Sequence, residues 1–537
     1  MKIVSVSEMR QLEQAAMQRG LDEDGMIRRA ALGIARIINE RFSQGANRIA
    51  VGLVGGKNNG GDTLLALVAL AKAGWQVRAY LTKTRLADDP LVNKLIETRS
   101  PVVGWEDDQN FNTLGEWLQT SSVVLDGIAG TGIQLPLRPE TAKVCQFVKQ
   151  FERKPQVIAI DCPSGVDCDS GAVAPETIPA NLTICIEAVK RGCLRFPAFE
   201  YLGDLAIAPL NLPAGEPPVK ISDTCVTSAA ECRPLLPARP HTAHKGTFGR
   251  VLISAGCVNY PGAALLAARG AYRAGAGLVT LAGQQAVQSL IAGQIPEATW
   301  LLVPEESGGI GTDALPLIRS AAAAADALLL GPGWGLGEKT AQFLKGYLLE
   351  KRGNHAPALG FLAGTASSSA EKSKIPRLVI DADGLKLLSG IPGWHAMLPP
   401  ETVLTPHPGE MSALSGLPID EIQENRIEIA AQYAREWGQI VVLKGALTVI
   451  SAPNGRTRVI PLATSALATA GTGDILAGMV AGLLAQGARP FEASLLAAWL
   501  HANAGILAAR KFGSDAAVMA SDVLDLLPSA FANLANH

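Results

Sequence analysis

Three apolar runs in the first half of the chain end in the same manner. Arg48-Ile-Ala-Val-Gly-Leu-Val54 runs into Gly55-Gly-Lys-Asn-Asn-Gly-Gly-Asp62, Ser122-Val-Val-Leu125 into Asp126-Gly-Ile-Ala-Gly-Thr-Gly132, and Gln156-Val-Ile-Ala-Ile160 into Asp161-Cys-Pro-Ser-Gly165. Short runs that are apolar throughout, rather than alternating, belong to strands covered on both faces, which means a parallel sheet with helices on each side. In such a sheet the loops after the strands collect on one edge. Asn58 to Asp62, Asp126 to Thr131 and Asp161 to Ser164 are therefore expected to meet in one crevice. Each alone has a plainer reading, a tight Asn-Gly turn for the first and a helix cap for either aspartate. The three together favour a site.

Glu8 to Arg19 and Met26 to Arg41 carry helical apolar spacing, with Ser7 a candidate N-cap, and Thr63 to Gly74 reads as a helix stopped by a glycine. From Leu210 to Lys245 the chain is rich in proline and small polar residues. Alternation then resumes. Gly249 to Gly256 reads as strand and turn, Gly262 to Arg273 as helix and Ala276 to Leu281 as strand, and Ala327 to Leu330 runs into Gly331-Pro-Gly-Trp-Gly335. Arg377 to Ile380 leads into Asp381-Ala-Asp-Gly384, and Ile440 to Leu443 into Lys444 and Gly445. A chain of 537 residues exceeds one ordinary core, so the expectation is two three-layer α/β/α domains, 1–221 and 222–537. Arg352 to Lys374, with its serine- and alanine-rich centre, reads as a disordered surface insertion.

A formal net charge of -2 argues against the broad basic surface that nucleic acid requires, so phosphates, if bound, are bound locally. The eight cysteines form no CxxC pairs, and seven lie between Cys145 and Cys232, several inside apolar runs. They read as reduced, mostly buried thiols of a cytoplasmic protein. The N-terminus lacks the apolar core of a signal peptide, and Asp326, His501 and Asn503 break the longest apolar runs, so no membrane segment is expected. The first histidine is His241, so acid–base chemistry before it falls to carboxylates, Lys, Tyr or Cys.

Thr469-Ala-Gly-Thr-Gly-Asp474, followed by the small apolar run Ile475 to Ala485, reads as a glycine loop opening a helix. Its outward N–H groups and the helix dipole make a seat for phosphate. Asp474 either caps that helix or takes a proton from a hydroxyl about to attack the bound anion.

Across roughly residues 1 to 220, the ordered set Asn58-Asn-Gly-Gly-Asp62, Asp126-Gly-Ile-Ala-Gly-Thr-Gly132 and Asp161-Cys-Pro-Ser-Gly-Val-Asp167 resembles the YjeF N-terminal family, the NAD(P)H-hydrate epimerases with a Rossmann-like fold. The resemblance implies that the hydrated nicotinamide is held by Asn58, Asn59, Gly60, Gly61, Asp62, Gly130, Thr131, Gly132, Ile133, Gln134, Leu135, Pro136 and Asp161. It also implies a potassium ion on Asn59, Asp126 and Ser164, oxygen ligands that suit a hard cation. Two departures stand out. Thr63 occupies a position where the family usually has glycine, and the loop after Gly132 continues Ile-Gln-Leu-Pro-Leu-Arg instead of closing on another glycine.

Over most of residues 224 to 537, His244-Lys-Gly-Thr-Phe-Gly249, Thr405-Pro-His-Pro-Gly-Glu410 and the Thr469 loop resemble the NAD(P)H-hydrate dehydratase branch of the ribokinase-like superfamily. By that resemblance ADP or ATP lies along Lys444, Gly445, Ala446, Leu447, Thr448, Thr464, Thr469, Ala470, Gly471, Thr472 and Gly473. The hydrate meets Ala264, Gly333, His407 and Asp474, magnesium accompanies the nucleotide with Asp381 and Asp383 near it, and a homo-oligomer is the expected assembly. His407, between prolines, also has a plain reading as a structural loop residue. The implied function is repair of hydrated NADH and NADPH: the first domain exchanges the epimers with Asp161 as acid–base group, and the second dehydrates one epimer with Asp474 as base. The alternative is a ribokinase-like small-molecule kinase fused to a non-catalytic nucleotide-binding module.

Overall fold

The computed structural model describes residues 1–44, 47–85, 88–153, 155–212, 223–306, 308–349 and 375–536. The insertion expected at Arg352 to Lys374 lies outside them. The chain divides into two compact units, Met1–Ser222 and Asp223–His537.

The first unit is built on a seven-stranded sheet whose strands, numbered along the chain, lie in the order 3-2-1-4-5-6-7. These are Ile49–Val54, Gln76–Leu81, Val102–Gly104, Val123–Gly127, Gln156–Ile160, Leu182–Ile186 and Asp204–Ala208, every pair parallel. Alternate residues of the central strands feed two cores. Ala50, Val54, Val123 and Leu125 pack with the helices Glu23–Phe42 and Asn58–Lys72, whereas Val51, Leu53 and Val124 pack with Trp117, Leu118 and Val148 on the other face. That is why the runs are apolar at every position. The order reverses between the first and fourth strands, and ligands of such sheets bind outside the strand ends at that reversal.

Local boundaries differ from the sequence reading in two places. The N-terminal helix is Val6–Gln18, and its N-cap is Ser5, not Ser7: the Ser5 hydroxyl accepts from the Glu8 N–H while the Glu8 side chain returns to the Ser5 N–H. Asn58 to Asp62 is not a loop but the first turn of the helix Asn58–Lys72. Glycine in that turn follows from close approach. A Cβ at Gly60 would lie 2.0 Å from the Gly55 carbonyl oxygen, and one at Gly55 1.9 Å from that of Ile128.

The second unit carries a ten-stranded sheet, order 1-10-9-8-7-6-5-2-3-4 along its own strands. Its central strands Arg250–Ser254, Ala327–Leu330, Arg377–Ile380, Val403–Leu404 and Ile440–Leu443 are parallel, and the pairs involving Val449–Ser451 run antiparallel. The small-residue run forms the helix Thr472–Ala485, buried on almost every side and crossed closely by the helix Pro261–Arg273. A Cβ at Gly478 would stand 2.0 Å from the Ala267 carbonyl oxygen, and one at Gly482 2.6 Å from that of Ala271. Gly and Ala let the two backbones meet and so fix where the glycine loop sits.

Candidate active sites

In the first unit Asp126, next to last in the strand Val123–Gly127, is fully buried and in register with Ala159. Its carboxylate accepts the Ser164 hydroxyl at 2.5 Å and the Ser164 N–H at 2.8 Å, while the Ala129 N–H donates to the Ser164 Oγ at 2.9 Å. Burial pushes the Asp126 carboxyl up, and the Ser164 hydrogen bonds oppose that. Both side-chain polar atoms of Asn59 are buried without a partner. A buried amide left unsatisfied is costly, so it marks a place for a ligand. Gly130 lies directly over it, its hypothetical Cβ 3.4 Å from the Asn59 Cγ. Asn59, Asp126 and Ser164 thus offer amide, carboxylate and hydroxyl oxygens at one place, and the donor set fits a hard monovalent cation.

The other first-unit positions sit around this point. Asn58 Nδ2 donates to Glu23 Oε1 at 2.7 Å. The Gly61 N–H donates to the Lys57 carbonyl, and Thr131 to Pro136 form the irregular loop beyond Gly130, with the Ile133 N–H on the Gly130 carbonyl and Gly132, Gln134 and Leu135 in turn or coil. Thr63 fits because its neighbour Gly127 has no Cβ. One there would lie 1.7 Å from the Thr63 Oγ1, which instead donates to the Asn59 carbonyl at 2.8 Å.

Asp161 follows its strand with φ 69°, a left-handed conformation that turns its carboxylate back toward the sheet edge. There it pairs with the Lys190 ammonium and accepts the Ile186 N–H at 3.0 Å. Lys190 is buried and also donates to the Ile186 carbonyl at 3.1 Å. Burial is the largest single influence and works against its charge, but Asp161, together with Cys185 and Cys168, raises the ammonium above its ordinary range. Sequence reasoning missed Lys190. Its segment, Ala188-Val-Lys-Arg-Gly-Cys-Leu194, carries no motif, and Arg191 beside it is half-buried and paired with Glu8. Glu13, on the N-terminal helix, was missed as well. Burial raises its carboxyl, and Lys190 and Asp161 are the next largest influences on it.

In the second unit the sheet order reverses between Arg250–Ser254 and Ala327–Leu330. Gly333 lies beyond the second of these with φ 62°, its hypothetical Cβ 2.6 Å from the Ala263 Cβ, which brings it beside Ala264 at the start of the crossing helix. Lys444 Nζ donates to Asp381 Oδ1 at 2.6 Å and stands 3.7 Å from Glu410 Oε2. Asp381 also accepts the Thr405 hydroxyl at 2.7 Å, and its Oδ2 is buried without a partner. Asp383 Oδ2 accepts the Gly335 N–H at 2.9 Å, tying two strand-end loops together.

His407 caps the helix Pro408–Ser415. Its Nδ1 accepts from the Gly409 and Glu410 N–H groups, and its Nε2 lies 3.2 Å from Glu410 Oε1. The ring therefore carries its proton on Nε2, and burial together with Lys444 keeps it neutral by lowering its pKa. The structural reading of this residue is satisfied, and about half of the side chain stays open to a ligand.

The helix Thr472–Ala485 begins at Gly471, φ 94°, with no side chain capping it. Asp474 is thus no cap. Burial, reinforced by Asp381, raises its carboxyl to about 7, with Lys444 pulling the other way. Gly473 lies against the lysine, a Cβ there being 3.3 Å from the Lys444 Nζ. Thr464 is held by Asp515 at 2.9 Å and Thr469 by the Val518 carbonyl at 3.1 Å, while the Thr472 hydroxyl donates back to the Thr469 carbonyl. Gly445 and Leu447 both take positive φ in the tight turn that carries Ala446 and Thr448, and the Thr448 hydroxyl donates to the Gly445 carbonyl at 2.9 Å. No group of three or more His, Cys, Asp or Glu among the described residues is arranged to hold a metal. The cysteines are all free, seven of them buried, and among the described residues no helix is long and apolar enough to cross a membrane.

Residues 23–192 match the YjeF-related N-terminal family and residues 251–529 the NAD(P)H-hydrate dehydratase family. Among curated proteins, the bifunctional NAD(P)H-hydrate repair enzyme Nnr of Moorella thermoacetica is 34% identical over 99% of this chain and 97% of its own length. That of Thermofilum pendens is 31% identical over 99% and 96%. Among solved structures, an ADP/ATP-dependent NAD(P)H-hydrate dehydratase from Bacillus subtilis is 30% identical over 57% of this chain and 98% of that one, with a TM-score of 0.46. The chain belongs to the family of bifunctional NAD(P)H-hydrate repair enzymes, an epimerase unit and a dehydratase unit in one polypeptide.

Proposed function

We propose that this chain restores NADH and NADPH from their hydrates in two steps, the first unit exchanging the two epimers and the second dehydrating one of them at the expense of ADP or ATP. The observation that carries the reading is Asp474 in the first turn of the glycine-loop helix, one residue after Gly473, where a Cβ would stand 3.3 Å from the Lys444 Nζ; burial raises its carboxyl to about 7. Hydroxide is a poor leaving group. Asp474 takes the proton of the hydrate hydroxyl as its oxygen attacks phosphorus, and the N–H groups of Gly471 to Gly473 and the Lys444 ammonium hold the transferring phosphoryl. Phosphate then departs with the C–O electron pair, the ring nitrogen carries the resulting iminium charge, and loss of a proton from the neighbouring ring carbon to water re-forms the ring double bond. Magnesium, with the orphaned Asp381 Oδ2 and Asp383 nearest, would neutralise phosphate charge. Potassium on Asn59, Asp126 and Ser164 would supply a fixed positive charge to the substrate of the first unit. The free buried thiols support a cytoplasmic setting.

The test is to incubate a mixed NADH hydrate with each nucleotide and follow recovery of reduced-cofactor absorbance. Full recovery with release of phosphate is the expected result. Accumulation of a phosphorylated product without recovery would make the chain a small-molecule kinase instead.

A further inference from the structure

Asp62 is the least explained charged group of the first unit. It lies in the first turn of the helix Asn58–Lys72, 6% exposed. Among the described residues it has no cation paired to it and no hydrogen bond to its carboxyl oxygens. The charged groups around it are Asp161, Glu13 and Lys190. Two are carboxylates, and the third is already committed to Asp161. Glu13 cannot help, since its own surroundings are Lys190, Asp161, Arg10 and Glu23. The helix bearing Glu13 is tied to the lysine segment through the parallel pair Val4 and Lys190 and the ion pair Glu8–Arg191. An unpaired carboxyl facing two others in a nearly dry setting keeps its proton.

The two aspartates also stand apart in a useful way. Asp62 follows the strand Ile49–Val54 and Asp161 the strand Gln156–Ile160, with Val123–Gly127 between them. Two strand spacings separate those strand ends by about 10 Å. A ring seated beyond the intervening strand would have one of these two residues on either side, and the Asn59 carbonyl stands 3.2 Å from where a Cβ on Gly127, the last residue of that strand, would lie.

We propose that Asp62 is a catalytic acid opposed to Asp161, and that the pair inverts the hydrated carbon by removing the hydroxyl from one face of the ring and adding water to the other. This rests on the epimerase reading of the first unit. Water adds to an enamine so that the hydroxyl sits on the carbon bonded to nitrogen, and that carbon can lose it. Asp62 gives its proton to the departing hydroxyl oxygen. The C–O bond breaks with its electron pair leaving in a water molecule, and the nitrogen lone pair closes a planar iminium ion. A second water attacks the opposite face, forming the new C–O bond, and its proton passes to the Asp161 carboxylate. The net transfer is one proton from Asp62 to Asp161, and the reverse epimerisation uses the two groups in exchanged roles. Lys190 is a positioning residue, which together with the Ile186 N–H fixes the Asp161 carboxylate at the sheet edge. Burial and the two neighbouring carboxylates, which raise the Asp62 carboxyl well above the usual range, agree with the assignment.

The experiment uses the full chain, a single purified epimer of NADH hydrate, no nucleotide, and water enriched in oxygen-18. Wild type is expected to give the other epimer carrying one solvent oxygen. Asp62→Asn is expected to lower exchange by about 100-fold or more, the range for losing a general acid, with the first unit's melting transition retained. An inverted product without solvent oxygen would overturn the proposal, because inversion by ring opening at the C–N bond keeps the original hydroxyl. This readout is taken on wild type and survives any folding defect of the variant. Exchange by a folded Asp62→Asn within about threefold of wild type would overturn it too. Wild type that exchanges epimers no faster than the spontaneous rate would instead remove the epimerase reading itself.

Discussion

The Lys444 ammonium sits 2.6 Å from Asp381 Oδ1, and a Cβ on Gly473, one residue before Asp474, would lie 3.3 Å from the same nitrogen. One cation therefore joins a strand end, a helix start and a glycine loop, and it pulls the Asp474 carboxyl down against burial and Asp381, which raise it to about 7. A base works only when ionised, so kcat/KM for dehydration should climb with pH through about 7 and level off above. Lys444→Met removes a lowering influence, and the rising limb should move to higher pH. A profile unchanged in that variant would show that the limb belongs to another group.

Asp474→Asn keeps the shape of the side chain and removes the base. Dehydration should fall by about 100-fold or more while ADP affinity, measured by calorimetry, stays within a few-fold. Near-normal turnover would sink the assignment.

The crossing of Thr472–Ala485 with Pro261–Arg273 predicts a stability effect far from any ligand. Gly478→Ala places a methyl 2.0 Å from the Ala267 carbonyl oxygen, backbone against backbone with no side chain free to move. The second unit should lose about 1–3 kcal/mol or more, read by denaturant unfolding. Gly262→Ala, at the exposed start of the partner helix with nothing within 4 Å of the added carbon, should be neutral or slightly stabilising.

The central strands such as Ile49–Val54, Val123–Gly127, Gln156–Ile160, Arg250–Ser254, Ala327–Leu330 and Ile440–Leu443 were legible because apolar runs without alternation allow little else, whereas Gln76–Leu81, with arginine inside it, and the short outer strands were not. Asn58 to Asp62 was not legible as helix. Paired asparagine and glycine are turn formers by propensity, and what overrides them is the approach of Gly55 and Ile128, a tertiary contact. Asp474 could not be divided between cap and base from its own segment, since the evidence comes from Lys444, Asp381 and Glu410 on three other strand ends. Lys190 had no motif at all. Only its pairing with Asp161 gives it meaning.

Potassium makes a prediction that needs no turnover. Asn59 pays for its unpartnered amide only when something occupies the place beside it. Potassium chloride should raise the melting temperature of the first unit more than sodium chloride at equal ionic strength, as ligand linkage requires. Asn59→Ala should remove the difference between the salts, and a difference that persists would put the ion elsewhere.

Asp161→Asn separates the two activities. Epimer exchange should be lost while dehydration of the usable epimer continues, because Asp161 lies in the unit Met1–Ser222 and Asp474 in the unit Asp223–His537. Given a mixed hydrate and ADP, the variant should rapidly restore the fraction already in the usable configuration. The rest should follow only at the spontaneous rate, a plateau that wild type does not show. The substitution also strips Lys190 of its counter-ion inside the protein. Leaving a buried charge unpaired costs about 3–5 kcal/mol, so the first unit's melting transition should drop in Asp161→Asn and largely return in the double variant Asp161→Asn, Lys190→Met. The double variant should keep the plateau. Recovered stability with recovered exchange would mean that the pair serves the fold alone. A single variant that consumes the whole mixture at the wild-type rate would remove Asp161 from the chemistry, or show that the second unit accepts both epimers, and purified single epimers distinguish the two.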